Sequence, residues 1–184
     1  MALLLIKKHG SSVKQILTSP AERRRYFICG LLISVNWGVY ILTVAMGRIL
    51  EASLAYYMNP LFSVLIGALI FKEKLSAMQW ASVGLAFAGV MISIINYGNV
   101  PYLAIIIGLS FALYGAMKKG IKAESEVSIC METLSVLPLA LGFILYAQFS
   151  GLTTFSSLTG SEIAFLVLSG AVTSVPLMLF ASGI

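Results

Sequence analysis

The sequence predicts an all-α integral membrane protein, built as a polytopic bundle of transmembrane helices. Of its 184 residues, 59% are apolar and 10% are charged, and the mean hydropathy is +0.98. A soluble domain carries about 25% charged residues, so this chain lacks the polar surface that water requires. Its apolar segments are long and continuous, which favours helices over the alternating strands of about ten residues that form membrane barrels.

Six apolar segments are each long enough to cross a bilayer as a helix. Short polar loops separate them, so spans that follow one another are expected to be antiparallel neighbours. Residues 1–6 are apolar and are typical of the end of a preceding span, whereas residues 7–25 are polar and basic. The predicted spans are Tyr26–Gly47, Glu51–Phe71, Ser76–Asn96, a fourth that ends near Met117, Ile129–Phe149 and Glu162 to about Gly183.

The loop charges predict how the chain is oriented. Lys and Arg concentrate in cytoplasmic loops, and the alternate loops 1–25, 72–75 and 118–128 hold eleven of the twelve basic residues. The other set of loops holds only Arg48. The N-terminus is therefore predicted to be cytoplasmic. The net charge of +5 comes from these loop residues, which determine the orientation. Nucleic acid is therefore not an expected partner, whereas the lipid bilayer is an expected one.

Two asparagines lie at membrane depth, where polar side chains are costly and mark pathways or interhelical hydrogen bonds. Asn36 is at the centre of the first full span and Asn59 is near the centre of the next, so the two amides are predicted to lie at similar depth. One interpretation is a polar cavity lining. The other is an Asn–backbone hydrogen bond that holds these two helices together, and the sequence leaves both open.

Helical spacing extends each asparagine into a polar face that is expected to turn inward, away from lipid. Asn36 shares its face with Tyr40 and Thr43, and Asn59 shares another with Tyr56 and Ser63. The fourth and last spans add further polar residues. The candidate substrate pathway comprises Asn36, Trp37, Tyr40, Tyr56, Asn59, Ser63, Ser110, Tyr114 and Thr173.

Glu132 is an acidic residue one turn inside the fifth span. One interpretation is a protonatable coupling group. The other is a side chain that extends to the interface and pairs with a basic residue of the preceding loop: Lys118, Lys119 or Lys122. Prolines inside spans remove ladder hydrogen bonds, and the predicted helix breaks are Pro60, Pro138 and Pro176.

No constellation of catalytic residues is present in the sequence. There is one histidine, His9, and there is no HExxH, Gly-rich phosphate loop or Ser/His/Asp set on neighbouring spans. Cys29 and Cys130 lie near the starts of spans without a CxxC motif, and they are interpreted as packing residues. Catalytic residues, metal ligands and cofactors are therefore not expected.

The segment RILEASLAYYMNPLFSVLIGALIFKEKLSAMQWASVGLAFAGV, residues 48–90, closely resembles the characteristic region of RarD-type (chloramphenicol-sensitivity) proteins. These belong to the EamA family of the drug/metabolite transporter superfamily. Shorter segments with the same resemblance occur elsewhere along the chain, one before residues 48–90 and the others after them. They are Asn36-Trp37, Phe111 to Lys119, Glu132-Thr133, Leu137-Pro138 and Thr173 to Leu177.

This resemblance implies a bacterial inner-membrane carrier of ten spans, in two inverted five-span halves. The chain then appears as a fragment that lacks the first span and the last two. Residues 1–25 would be the end of a preceding span and a basic cytoplasmic loop, 26–96 spans three to five of the first half, and 97–184 the first three spans of the second half.

The function that the resemblance implies is transport of small metabolites or drugs by alternating access through a central cavity between the halves. The substrate itself is unknown. The alternative is a truncated membrane protein that does not transport, or an assembly partner. A homodimer is also left open.

Overall fold

In the computed structural model, the backbone is described for residues 10–121, 123, 125–151 and 158–182. The side chains of residues 10–12, 15, 125, 126, 171 and 173–182 are outside this description. Every regular element in the described part is an α-helix, which confirms the all-α prediction. The helices are α1 (Gly10–Thr18), α2 (Pro20–Ala45), α3 (Ile49–Ile70), α4 (Ala77–Tyr97), α5 (Tyr102–Lys118), α6 (Ser125–Phe149) and α7 (Gly160–Ser182).

Helices α2 to α7 coincide with the six predicted spans, and the chain is a multi-pass membrane protein. Four segments of the described chain are long and apolar enough to cross a bilayer: Pro20–Ala45, Ile49–Ile70, Ala77–Tyr97 and Val127–Phe149. Helix α5 is apolar but has 17 residues. In α7 the apolar stretch with described side chains is Gly160–Gly170.

Helix α2 begins six residues before the predicted span. Ser19 precedes its first residue, and its hydroxyl accepts the backbone N–H of Glu22 at 3.4 Å. Pro20 then occupies the first helical position, where its missing N–H removes no hydrogen bond. These capping features start the helix within the basic segment. The three consecutive arginines there, Arg23 to Arg25, do not form an apolar helix face.

Helix α1 lies in the segment that the sequence analysis treated as a basic loop. Val13 and Ile16 are buried, while Lys14 and Leu17 are exposed. The segment therefore has an apolar face at helical spacing, although it is too short to span a bilayer. It packs against α6.

The chain divides into two compact units. Residues 1–27 and 122–184 form the first unit, and residues 28–121 form the second. In the first unit α6 contacts α1 and α7. In the second unit α3 contacts α4 and, most extensively, α5. Its apolar core comprises Leu54, Ala55, Met58 and Leu61 of α3, Val90 of α4, and Ala104 and Ile107 of α5.

Helices α3 and α5 are parallel, because their first turns meet and their last turns meet. The Glu51 carboxylate accepts the backbone N–H of Leu103 at 2.8 Å, and beyond the other ends Lys119 pairs with Glu73. Between them, Gly108 gives close contact: a Cβ built there would lie 2.9 Å from Cδ2 of Phe62. Small residues permit this approach in membrane bundles.

The helical assignment continues through all three prolines that were predicted to break spans. Pro60 lies inside α3 and Pro138 inside α6, and the backbone of α7 is helical through Pro176. None of them ends its helix. Each proline still leaves the carbonyl four residues earlier without its ladder donor, and a bend there stays a prediction.

Candidate functional site

Asn36 is the polar residue at the centre of the second unit. Its side chain is 8% exposed, and its Nδ2 donates to the carbonyl oxygen of Ile107 at 2.7 Å and to Oγ of Ser110 at 3.3 Å. Ser110 in turn donates to the same carbonyl at 3.0 Å. The amide therefore joins α2 to α5. One of the two interpretations from the sequence is an Asn–backbone hydrogen bond between α2 and α3. The observed partners of Asn36 lie on α5 instead.

Asn59 reaches the same level of α5 from α3. Its backbone nitrogen lies 3.6 Å from a Cβ built on Gly108, the residue after the carbonyl that Asn36 binds. Its Oδ1 accepts from Ser63 Oγ at 3.4 Å, within its own helix. The Asn36 side chain therefore bonds to the turn of α5 from Ile107 to Ser110, which we call the polar turn, whereas Asn59 approaches α5 with its backbone and its side chain bonds within α3.

The aromatic candidates lie beside this polar turn. The rings of Tyr40 and Tyr56 meet edge to face, with centroids 5.8 Å apart, which joins α2 to α3. Tyr56 is 64% exposed and Trp37 is 48% exposed, and Ser63 is also exposed. The inward orientation expected for the Tyr56 face is therefore not seen within the described residues, whereas Asn36 and Thr43 are buried as expected.

A buried carboxylate and its partners join the N-terminal ends of α3 and α5. Glu51 is 0% exposed, and its Oε2 lies 2.6 Å from Nη2 of Arg48. The same oxygen accepts from the Tyr97 hydroxyl at 3.2 Å, while Oε1 accepts the Leu103 N–H. Helix α5 starts after Pro101, which supplies no side-chain cap, so Glu51 satisfies one of the free N–H groups at that N-terminus.

Arg48 is held by aromatic residues as well as by the carboxylate. Its Nη1 donates to the Tyr102 hydroxyl at 2.6 Å, and its guanidinium lies 4.7 Å from the centroid of that ring. Hydrogen bonds with Tyr97 and Tyr102, followed by the charge of Glu51, raise the pKa of Arg48 above its ordinary value. The guanidinium therefore stays protonated up to extremely alkaline pH.

The C-terminal ends of α3 and α5 carry a second, exposed ion pair. Lys119 pairs with Glu73 and lies 4.6 Å from the centroid of Phe71. Gly67 makes room for the carboxylate, since a Cβ there would lie 3.1 Å from Oε2 of Glu73. A groove of about 180 Å³ lies beside this pair, and Ser63 and Gly115 are among its lining residues.

The remaining candidates lie on α5, α6 and α7. The Tyr114 hydroxyl accepts from Lys118 at 2.9 Å. Glu132 is 3% exposed and accepts from Ser128 Oγ at 2.7 Å, one turn earlier on α6. Thr173 is on α7, and its side chain lies outside the described residues. Among the described side chains, no cluster of three or more His, Cys, Asp or Glu residues could hold a metal ion.

Comparison with known proteins decides the family. Residues 1–95 match the EamA-like transporter family, and they make up just over half of the chain. The chain belongs to this family. The uncharacterized transporter YojE of Bacillus subtilis is 46% identical over 158 residues, which are 85% of this chain and 52% of that protein.

Two further relatives of this EamA-family chain are named RarD. Protein RarD of Streptomyces exfoliatus is 36% identical over 180 residues, 98% of this chain and 57% of its own length. Protein RarD of Escherichia coli is 31% identical over 182 residues, 99% of this chain and 62% of its own length. The predicted RarD-type resemblance is confirmed. The chain spans between about half and three fifths of these relatives' length, and no solved structure matches it significantly.

The sequence did not predict most of the contacts at the two ends of the α3–α5 helix pair in this EamA-family chain. Tyr97 and Leu103 were not predicted as partners of Glu51. The Lys72 to Lys74 triplet was used only as an orientation signal, although Glu73 pairs across to Lys119. A carboxylate within an apolar segment is the signal that could have marked Glu51, since such a group needs partners.

Proposed function

We propose that this chain forms part of a membrane carrier that moves small metabolites or drugs by alternating access between two inverted halves. The observation that carries the proposal is the match to a transporter family over residues 1–95. The printed name of YojE, an uncharacterized transporter, supports the same class.

The substrate pathway proposed here passes the polar turn of α5. Asn36 and Ser110 are buried there, the backbone of Asn59 approaches Gly108 from α3, and the Asn59 side chain accepts from the exposed Ser63 hydroxyl. A carrier must offer hydrogen-bonding groups at mid-depth, where a polar substrate leaves water behind. These four side chains supply amide and hydroxyl groups without a fixed charge, which suits a polar or zwitterionic small molecule.

Orientation and location are part of the same proposal. Eleven of the twelve basic residues lie in one alternate set of loops, which supports a cytoplasmic N-terminus in the bacterial inner membrane. The Glu73–Lys119 end of the α3–α5 pair then faces the cytoplasm and the Arg48–Glu51 end faces outward. Alkaline phosphatase fused after Gly98 should be active and a fusion after Lys74 inactive. The reverse pattern would refute this orientation.

The transport test is counterflow in proteoliposomes, with a panel of radiolabelled amino acids, nucleobases and chloramphenicol. Liposomes that contain the chain are compared with liposomes that contain full-length YojE and with empty liposomes. The proposal predicts accumulation of at least one labelled compound by the chain. If YojE accumulates a compound that the correctly inserted chain does not, the chain alone is not a carrier and the non-transporting alternative gains support.

A matched pair of variants tests the pathway. Ser110→Ala removes the hydroxyl that binds Asn36 at the polar turn, and counterflow is expected to fall by about tenfold. Ser82→Ala removes an exposed hydroxyl of α4 that only donates to Met78 in its own helix, and counterflow should stay at the unmodified level. Equal rates for the two variants would remove the polar turn from the pathway.

A further inference from the structure

An apolar groove of about 370 Å³ lies within the first unit. Helix α1 forms one wall through Ile16 and Leu17, the first turns of α2 contribute Arg23 and Tyr26, and α6 contributes further residues that include Leu134. The volume falls in the range of small-molecule sites. None of the pathway candidates described above lines this groove, so it is a separate feature of the molecule.

The lining of this groove combines a hydrocarbon surface with one cation. Arg23 is its charged lining residue and is exposed. The carboxylate next to it in sequence, Glu22, pairs with Arg25 at 3.7 Å. Arg24 and Lys14 are exposed nearby in the chain, and residues 1–25 carry six basic residues against Glu22 alone. The groove therefore has mostly apolar walls and one exposed cation, Arg23, among its described lining residues.

We infer that this groove binds an anionic phospholipid, with the acyl chain along the apolar walls and the phosphate at Arg23. Basic pockets beside membrane helices bind anionic head groups, and Arg matches the geometry of phosphate. The apolar walls exclude a soluble polar metabolite as the occupant. Charge complementarity selects the anionic lipid over a zwitterionic lipid or an uncharged protein helix.

The amphipathic form of α1 supports the same assignment. Val13, Ile16 and Leu17 are spaced so that they share one side of this short helix, and all three line the groove. Lys14 lies between them in sequence and is exposed. A short helix with an apolar side and an exposed lysine is suited to the membrane interface, where head groups and acyl chains meet.

The test is lipid titration of the detergent-purified, delipidated chain, followed by native mass spectrometry. The probes are palmitoyl-oleoyl phosphatidylglycerol and the matching phosphatidylcholine. Phosphatidylglycerol is expected to bind about fivefold more tightly, because a basic residue near the surface contributes about that factor. Equal affinities for the two lipids would overturn the inference.

Two sets of variants separate the head-group contact from the acyl contact. Arg23→Gln should abolish the preference for phosphatidylglycerol and Arg23→Lys should retain most of it, while Lys74→Gln, in the loop after α3, should leave both affinities unchanged. Leu134→Trp fills the groove and should weaken both lipids by about tenfold. Leu137→Trp, on the same helix with similar exposure but outside the groove, should weaken neither.

Each variant is first checked for unchanged helix content and monodispersity. The inference fails if Arg23→Gln behaves like Lys74→Gln, or if Leu134→Trp behaves like Leu137→Trp. Either result would mean that lipid binds elsewhere or that a protein segment occupies the groove. None of these measurements depends on transport, so the outcome is independent of the proposed function.

Discussion

Glu51 accepts the backbone N–H of Leu103, 52 positions later in the sequence, at 2.8 Å. This bond fixes the start of α5 against the start of α3, and Arg48 balances the buried charge at 2.6 Å. The second ion pair, Glu73 with Lys119, joins the same two helices beyond their other ends. The two helices are therefore in contact at both ends.

Loss of the buried carboxylate should destabilise the chain strongly. Glu51→Ala leaves the Arg48 cation without its partner and removes the acceptor of the Leu103 N–H. Leaving the Leu103 N–H without its acceptor costs about 1–3 kcal/mol, whereas the Arg48 side chain is 23% exposed and keeps access to water. We expect a large drop in the unfolding temperature, measured by fluorescence-detected size-exclusion chromatography after heating.

Glu73→Ala is the control for Glu51→Ala, because it breaks an ion pair between the same two helices. Both partners of that pair are about half exposed, and exposed pairs contribute about 0–1 kcal/mol. Its unfolding temperature should therefore stay near that of the unmodified chain. A similar drop for the two variants would contradict the distinction between a buried and an exposed pair.

Gly108 should tolerate no side chain while Phe62 stays in place. A Cβ at this position would lie 2.9 Å from Cδ2 of Phe62, and overpacking of this kind costs about 1–3 kcal/mol. Gly108→Ala is expected to lower the unfolding free energy in a denaturant titration by that amount. Phe62→Leu in the same chain should restore much of the loss.

Gly115→Ala is the matched control on the same helix. No atom lies within 4 Å of a Cβ built at Gly115, so the alanine should be neutral or stabilising by about 0.5–1 kcal/mol through its helix propensity. If Gly108→Ala were as mild as Gly115→Ala, close contact at Gly108 would not limit the approach of α3 and α5.

The contribution of Asn36 to stability should be modest and shared with Ser110. Interhelical hydrogen bonds in membrane proteins contribute about 0.6 kcal/mol on average and up to about 1.7. Asn36→Leu is expected to lower the unfolding free energy within that range. In a double-mutant cycle, Ser110→Ala should add little on the Asn36→Leu background, since the two side chains share one carbonyl. Full additivity would show that they act independently.

Hydropathy alone was sufficient to locate the helices, because spans are continuous apolar segments. It could not find α1, since that helix has nine residues, too few for a span, and it buries its apolar side by packing on α6. Sequence order also misplaced the partner of Asn36. Spans next to each other in sequence are antiparallel neighbours, whereas the main contact here joins alternate, parallel helices α3 and α5.

The partners of Glu51 illustrate the same limit. The pairing with Arg48 follows from helical spacing, but Tyr97 and Leu103 lie 46 and 52 positions away. Their approach depends on how α4 and α5 pack, which a single sequence does not encode in any local pattern. The exposure of Tyr56 could not be predicted either, because helical spacing indicates which residues share a face but not what covers that face.

Glu132 supplies the last prediction, which concerns proton coupling. The carboxylate is buried on α6 and accepts from Ser128 at 2.7 Å. If it carries the coupling proton, Glu132→Gln should abolish the dependence of transport on an imposed pH gradient and leave counterflow without a gradient intact. The measurement is uptake by liposomes that contain the chain or its Glu132→Gln variant, with and without the gradient. Glu162→Gln, at the exposed first turn of α7, is the control and should keep the dependence. Gradient-driven uptake that survives Glu132→Gln would remove Glu132 from coupling and leave it a structural partner of Ser128.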